Sequence, residues 1–558
     1  MTLDRRFAFV LLVLCAWGAR PAAADAPRLC SADPELTVAA GFCATVFADR
    51  LGHPRHLVVA TDGTVYVNTW SGRYFGNDTP PAGGFIVALR DTTGAGVANE
   101  VARFGPDATH GAHGGTGIGL YHGALYVEEG GEVDRYRLAK GELAPAAKPT
   151  VIVSGLPLDG DHPMHPFAIA VDGSMYVNSG SASNSCQVAN RQRESPGHSP
   201  CTELDTRGGI WRFDANASGQ VFSTRERYAT GIRNAGGVAM DLSGTQLYAT
   251  QHGRDQLAEN WPALYRPVQG ANLPAEQLMK VARGDDFGWP YCYFDSTQGK
   301  LVLAPEYGGD GGKTQGLCAQ KRAPLMDFPA HWAPMDLAFY GGTMFPSRYR
   351  GGVFIAFHGS WNRAPFPQEG YNVVFVPFAN GAPSAAFEVF ADGFAGPVKT
   401  PSNARHRPSG LAVGPDGALY IADDYGGRVW RVSYVGGEVP PATAAASTPT
   451  AALTAAPSDP TLALGQRVYL GRDGGAQCSG CHGQGGDGGP LGPSLRGPRW
   501  IWGDGSMAAI RRTIREGVAA PREHVGVMPP MGGAVLSEVQ LAALAAYVYS
   551  LGHGGARP

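Results

Sequence analysis

Cys478-Ser479-Gly480-Cys481-His482 places two thiols three positions apart, with an imidazole immediately after the second. Thiols at this spacing can form thioethers to the two vinyl groups of a haem, and the adjoining His can ligate its iron. Downstream, Val527-Met528-Pro529-Pro530-Met531 offers two thioether sulfurs. A Met opposite His raises the potential of haem iron and suits it to electron transfer.

These residues belong to a small C-terminal region. Ser506–Arg515 and Glu538–Leu551 carry apolar residues at helical spacing, and Ser537 is a good N-cap for the last helix. This region, 459–558, is separated from the rest by an Ala/Pro/Thr-rich stretch over 434–458 with no hydrophobic period, which reads as a linker.

The region before the linker, 27–433, repeats a strand–turn–strand unit. It occurs at Leu57–Thr69, Ile118–Glu129, Ala168–Ser179, Val238–Thr250 and Leu411–Asp423, and with a longer turn from Leu337 to the strand after Gly351. Asp-Gly between alternating apolar runs is a strong hairpin signal. Six such hairpins with insertions between them predict a six-bladed β-propeller, followed by a small all-α domain. Composition agrees: 79 of 558 residues are Gly and only 17% are charged, against usual shares of about 7% and about 25%. A net charge of −3 argues against a nucleic-acid partner.

The N-terminus has Arg5 and Arg6, an apolar run over Phe7–Trp17, and Ala22-Ala23-Ala24. This is the pattern of a secretory signal peptide over residues 1–24. The run is too short for a transmembrane anchor, so the mature chain is expected to be periplasmic or secreted, without one. Of the nine cysteines, Cys15 lies in the signal segment. Cys30, Cys43, Cys186, Cys201, Cys292 and Cys318 remain once the haem pair is set aside. Pairing of sequence neighbours, Cys30–Cys43, Cys186–Cys201 and Cys292–Cys318, is the most economical arrangement, and export makes disulfides reasonable.

The small region resembles class I cytochrome c over nearly all its length. The resemblance implies one covalent haem c, with Cys478 and Cys481 as its attachment points. His482 would be one axial ligand and Met528 the other. Met528 precedes Pro and lies eight residues before Leu536, as the family's ligand does; Met531 is the competitor.

The large region resembles the soluble quinoprotein glucose/sorbosone dehydrogenases, propellers that bind pyrroloquinoline quinone (PQQ) and calcium. Four patches carry the resemblance: Gly160-Asp161-His162, Gly231-Ile232-Arg233-Asn234-Ala235-Gly236-Gly237, His252-Gly253-Arg254-Asp255 with Phe287-Gly288-Trp289-Pro290, and Arg405-His406-Arg407-Pro408-Ser409-Gly410. The resemblance implies that His162 is the catalytic base, with His165 as a competitor. It implies that Arg233 and Asn234 contact PQQ, Arg233 also stabilising charge on the reduced quinone, and that Arg407 adds a further contact. The backbone carbonyls of Gly253 and Arg254 would bind calcium, with Glu259 and Glu276 supporting their loop. In His358-Gly359-Ser360-Trp361-Asn362-Arg363, Trp361 is a candidate stacking plane for the cofactor pocket, and Asn362 or Arg363 a candidate polar contact. Two departures weaken glucose as the substrate: Ser409 and Gly341 stand where glucose-oxidising members carry an Arg and a Lys. His110 and His113 lie in a Gly-rich loop and read as structural.

The expected activity is PQQ-dependent oxidation of a sugar, aldose or related aldehyde. Electrons would pass to haem c and then to a respiratory acceptor, a quinone oxidase or a soluble cytochrome. Two other functions fit a propeller of this kind: a calcium-dependent sugar lactonase, which needs no quinone, and a non-enzymatic propeller that presents a cytochrome to a partner.

Overall fold

In three of the hairpins the turn is built the same way. The Asp carboxylate accepts the N–H two residues on, Asp62 from Thr64 at 3.0 Å, Asp172 from Ser174 at 2.8 Å and Asp416 from Ala418 at 3.0 Å. The Gly between them takes φ of +85° in each case, a conformation that costs Gly little. The computed structural model describes residues 33–436 and 459–553, except 34, 72–74, 76–77, 107–112, 365, 472, 474–475, 477, 484, 489–491, 525–526 and 535. The proposed signal segment, Cys30, His110 and most of the linker fall outside the described residues.

Six sheets make the propeller, antiparallel except where Gln220–Val221 adds parallel to the edge of the second. Blade 1 runs through His53–Val59, Val65–Trp70, Ile86–Arg90 and Glu100–Phe104; blade 2 through Ile118–Tyr121, Ala124–Glu129, Glu132–Arg137 and Thr150–Ser154. Blade 3 comprises Phe167–Ile169, Ser174–Ser179, Gly209–Asp214 and Arg227–Thr230; blade 4 comprises Val238–Met240, Leu247–Gln251, Glu276–Val281 and Met326–Phe328. Blade 5 has Pro334–Phe339, Val353–Phe357, Asn372–Val376 and Glu388–Asp392, and blade 6 has Pro408–Val413, Leu419–Asp423 and Arg428–Tyr434. The fourth strand of blade 6 is Phe42–Ala48, from the start of the chain, paired antiparallel with Arg428–Tyr434. The two ends of the domain thus meet in one sheet, which closes the ring of blades. Each hairpin read from the sequence is the first strand pair of its blade.

Aromatic layers fill the space between blades. Between blades 5 and 6, Phe42, Tyr340, Phe345, Phe354 and Trp430 form one buried cluster. Two disulfides, Cys186–Cys201 and Cys292–Cys318, pin insertions that follow the second strand of blade 3 and the third strand of blade 4. Both pairs join sequence neighbours, as expected.

The C-terminal domain holds three main helices, Pro460–Tyr469, Met507–Glu516 and Glu538–Gly552. Asp459, Ser506 and Ser537 cap their N-termini, Ser537 with a reciprocal bond from Gln540. The first and last helices cross at Gly465, where a Cβ would lie 2.1 Å from the Ala543 carbonyl oxygen. Only Gly permits that approach. The sequence pattern foresaw the second and third helices; the first, opening on Pro460 directly after the linker, was not read from it. Among the described residues, no helix is long and apolar enough to cross a membrane.

Candidate functional site

The propeller's ring geometry collects residues from distant sequence positions. The second strand of each blade ends near one mouth of the central channel, and the segment entering the next blade's first strand lies beside it. His162 and His165 precede blade 3, Arg233 and Asn234 precede blade 4, and Arg407 precedes blade 6. His252, His358 and Asp424 directly follow or lie one residue past the second strands of blades 4, 5 and 6.

His162 is 8% exposed. Its Nδ1 lies 2.9 Å from the Ser181 carbonyl and 3.0 Å from Ser181 Oγ. That hydroxyl in turn donates to the Ser183 carbonyl at 2.6 Å. Both Ser181 atoms therefore accept from His162, which fixes the proton on Nδ1 and leaves the Nε2 lone pair available. Burial, then the charge of Arg233, lowers the imidazole's pKa to about 3, so the ring is neutral near pH 7. His165 differs: it is fully buried, and its two ring nitrogens lie 2.8 and 2.9 Å from the carbonyls of Asn178 and Pro157. Neither nitrogen is left to take a proton from a ligand.

Arg233 is 3% exposed and held on three sides. Its Nε donates to the Asn184 carbonyl at 3.0 Å and Nη1 to the Gly253 carbonyl at 2.9 Å. Nη2 donates to Asn184 Oδ1 at 3.1 Å and to Asp255 Oδ2 at 2.9 Å. These bonds use four of the five guanidinium N–H groups. Asp255 also pairs with Arg191 at 3.0 Å, and Arg191 pairs with Asp161, next to His162, at 2.9 Å. Burial alone would raise the Asp255 carboxyl, but Arg233 and Arg191 hold it well below the usual carboxylate range. The result is a charge chain, Asp161–Arg191–Asp255–Arg233, fixed under the mouth. Asn234 lies 3.5 Å from His252 Nδ1 and accepts from Asn178 at 3.3 Å.

Across the mouth, Arg407 donates from Nε to the His358 carbonyl at 3.1 Å and from Nη2 to the Gly359 carbonyl at 2.5 Å, and it stacks over Tyr371. This leaves three of its five N–H donors uncommitted among the described residues. His358 bonds Asp424 at 2.7 Å, and Asp424 also pairs with Arg55. Burial, then Arg407, lowers the His358 pKa to about 4. Burial, then Arg233, lowers that of His252 to about 4. Asn362 donates to Asp255 Oδ1 at 2.8 Å, while its own buried Oδ1 has no partner among the described residues. Arg363 turns outward to the Ala271 and Pro367 carbonyls and Glu369. Ser409 donates to the Pro54 carbonyl at 2.8 Å, a structural bond inside the ring.

The turn expected to bind calcium is Gly253–Arg254. The Gly253 carbonyl already accepts from Arg233, and the Gly253 N–H donates to Glu276 at 2.8 Å. Glu276 also accepts from the Ala333 N–H at 3.0 Å, and burial raises its pKa to about 8. The Arg254 side chain turns away into a buried pair with Glu306. Nearby carboxylates are thus committed, and no group of three or more His, Cys, Asp or Glu that could hold a metal occurs among the described residues. Two carbonyls would supply part of the roughly six to eight oxygens calcium takes; the others would have to come from a bound ligand and water.

The C-terminal domain encloses a cavity of about 330 Å³. Cys478, Cys481, His482 and Met528 line it, and Ile510, Ile514, Leu544 and Val548 supply apolar surface. His482 Nδ1 bonds the Pro493 carbonyl at 2.8 Å, which orients Nε2 as the second, ligand-type nitrogen. The two cysteines are free thiols rather than a disulfide. An apolar slot with two thiols, an oriented imidazole and a thioether fits a haem of the covalent kind. Met528 lines this cavity; Met531 does not. Trp361, Asn362 and Glu259 of the propeller line it too, so Trp361 stands at the wall between the two domains.

Sequence reasoning missed Arg191, Asn184, Arg55 and Asp424. Arg191 carries no motif. It sits in the insertion between Cys186 and Cys201, 30 residues from Asp161 and 64 from Asp255. Its role is visible only once the blades are arranged around the channel.

The TrAA12-like family model matches residues 36–435, and the model for cbb3-type cytochrome c oxidase subunit III matches residues 461–548. The chain is similar to an uncharacterized protein of Borreliella burgdorferi, 28% identical over 219 residues, covering 38% of this chain and 49% of that one. It is similar to a pyrroloquinoline quinone-dependent pyranose dehydrogenase of Coprinopsis cinerea, 28% identical over 244 residues, covering 38% of this chain and 31% of that one. The alignments thus span half or less of those relatives. In fold it is similar to the holo form of the pyranose dehydrogenase PQQ domain from Coprinopsis cinerea, with a TM-score of 0.56 at 21% identity, covering 71% of this chain and 97% of that one.

Proposed function

The chain belongs to the TrAA12-like family, and from that premise we propose that it is an exported, PQQ-dependent dehydrogenase of a sugar, aldose or related aldehyde, joined to a cytochrome c domain that receives its electrons. The PQQ-dependent pyranose dehydrogenase among its relatives supports the cofactor class, and the cytochrome match supports the haem. Two disulfides support an oxidising compartment, periplasmic or secreted. In this reading the domains are the signal peptide 1–24, the propeller 27–433, the linker 434–458 and the cytochrome domain 459–558.

A bound PQQ would supply a hydride acceptor, and a bound haem a one-electron carrier toward a respiratory acceptor. The chain's own part is proton handling and positioning. His162 takes the substrate hydroxyl proton on Nε2, the nitrogen that Ser181 leaves free. A neutral imidazole can do this because it enters the reaction unprotonated. Arg233, Asn234 and Arg407 offer charged and amide donors to an anionic, carbonyl-rich cofactor. The uncommitted N–H groups of Arg233 and Arg407 are what such a ligand would meet. Calcium belongs to this proposal, and the Gly253 and Arg254 carbonyls are the groups of this chain that would hold it. Cys478 and Cys481 would hold the haem through thioethers, and His482 and Met528 would be its iron ligands.

One observation carries the reading: a neutral His with a free Nε2 stands at the mouth beside a buried Arg fixed by four hydrogen bonds. The lactonase alternative is less well served, because the mouth carboxylates Asp161, Asp255 and Asp424 are each tied to arginines. The test is dye-linked oxidation by the full chain loaded with PQQ and calcium, across aldoses, sorbosone and simple alcohols, with lactone hydrolysis run in parallel. Dye reduction that requires PQQ is the expected result. Lactone turnover without PQQ, and no dye reduction, would overturn the reading.

A further inference from the structure

The domains meet along one rim of the propeller. The turn Thr400–Asn403, which leads into blade 6, faces the short helix Cys478–His482 that carries the haem motif. Ser402 Oγ donates to the Gly480 carbonyl at 2.5 Å and lies 3.1 Å from the Cys481 carbonyl. Asn403 Nδ2 reaches the Ser479 carbonyl at 3.4 Å. The turn itself is braced: Asn403 Nδ2 also donates to Thr400 Oγ1 at 2.8 Å, and the Tyr425 hydroxyl donates to the Ser402 carbonyl at 3.3 Å.

The helix supplies the reason for this contact. The last carbonyls of any helix lack partners within it, and in five residues those are most of the carbonyls it has. Ser402 and Asn403 bring side-chain donors to three consecutive carbonyls of the segment that bears Cys478 and Cys481. Trp361 and Asn362 share the cavity's lining with those cysteines. Asn362 continues by hydrogen bonds to Asp255 and from there to Arg233.

We propose that Ser402 and Asn403 form a latch that holds the haem domain docked on the propeller mouth, so that Trp361 and Asn362 close the haem cavity and connect it to the Arg233 site. Ser402, Asn403, Trp361 and Asn362 are positioning residues in this scheme. Its consequence for electron transfer rests on the function proposed above; the docking itself does not. A tether alone would raise the local concentration of the haem domain, whereas a latch selects one orientation.

Docking is read on the full, haem-loaded chain without PQQ, by hydrogen exchange of peptides covering 398–404 and 478–483. Ser402→Ala should speed exchange in 478–483 by about five-fold, the equilibrium shift expected from losing one ordinary hydrogen bond. Ser402→Thr, which keeps the hydroxyl, should restore protection. Equal exchange in the wild type and Ser402→Ala would overturn the latch. In the PQQ-loaded chain, Ser402→Ala should slow single-turnover reduction of the haem by substrate by a similar factor, with dye-linked sugar oxidation unchanged. An unchanged haem rate beside faster exchange would overturn the proposal that this docked form is the working one. If no substrate reduces the haem in any variant, the functional reading fails, and the exchange result still decides the latch.

Discussion

The buried neutral His162 carries a stability signature that can be measured without substrate or cofactor. In the unfolded chain its pKa returns to the ordinary 6.5; in the fold it is about 3. Between those values the unfolded state binds a proton that the native state does not. Stability therefore rises with pH across this window and is lost as pH falls from about 6.5 toward about 3. From pH 7 to pH 4.5 the unfolded His162 goes from mostly neutral to almost fully charged while the native ring stays neutral. The difference is about 2.5 kcal/mol lost to this residue alone. His162→Gln removes the titration and keeps an amide that can donate to Ser181. The assay is denaturant unfolding of the cofactor-free propeller, followed by tryptophan fluorescence at both pH values. The wild type should lose about 2.5 kcal/mol more than His162→Gln on acidification. Equal losses would refute the neutral, buried state, and with it the case for His162 as a base that enters the reaction unprotonated.

Further outcomes follow from the same contacts. His162→Gln in the PQQ-loaded chain should lower kcat/KM by about 10²- to 10⁴-fold, the range of a general base, with the visible haem spectrum intact; steady-state kinetics beside an absorption scan checks this. Asp255→Asn takes away the carboxylate shared by Arg191 and Arg233. It should cost about 3–5 kcal/mol of stability, as breaking a buried pair does, read as a lower denaturation midpoint. Met528→Ala should abolish the low-spin, methionine-ligated haem spectrum and lower the haem potential, while Met531→Ala should change neither, as absorption and redox titration would show.

The parts of this molecule that repeat were legible in the sequence. A blade's first two strands meet through a tight turn, and Asp62-Gly63, Asp172-Gly173 and Asp416-Gly417 state that turn in two letters. Outer strands such as Glu100–Phe104 and Arg227–Thr230 are only partly buried, so they lack the apolar alternation that marks an inner strand. The haem motif was legible because its chemistry is local: five consecutive residues hold two attachment points and a ligand. The propeller site is assembled from loops of different blades. His162 and Arg233 could be singled out only by resemblance, and Arg191 and Asn184, which hold the site together, had no local signal. The interdomain contact was still less visible, since Ser402 and Asn403 are ordinary turn residues until the Ser479–Cys481 carbonyls are set against them.

The central claim is that one chain oxidises a sugar at the propeller and passes the electrons to its own haem. The most direct test is visible absorption of the full chain, oxidised and loaded with haem, PQQ and calcium, on addition of single members of a panel of aldoses and aldehydes. The account predicts that the ferrous haem band grows with at least one sugar, only when PQQ is present, and at a rate independent of protein concentration. A haem that dithionite reduces but that no sugar reduces, in a chain shown to bind PQQ, would contradict it.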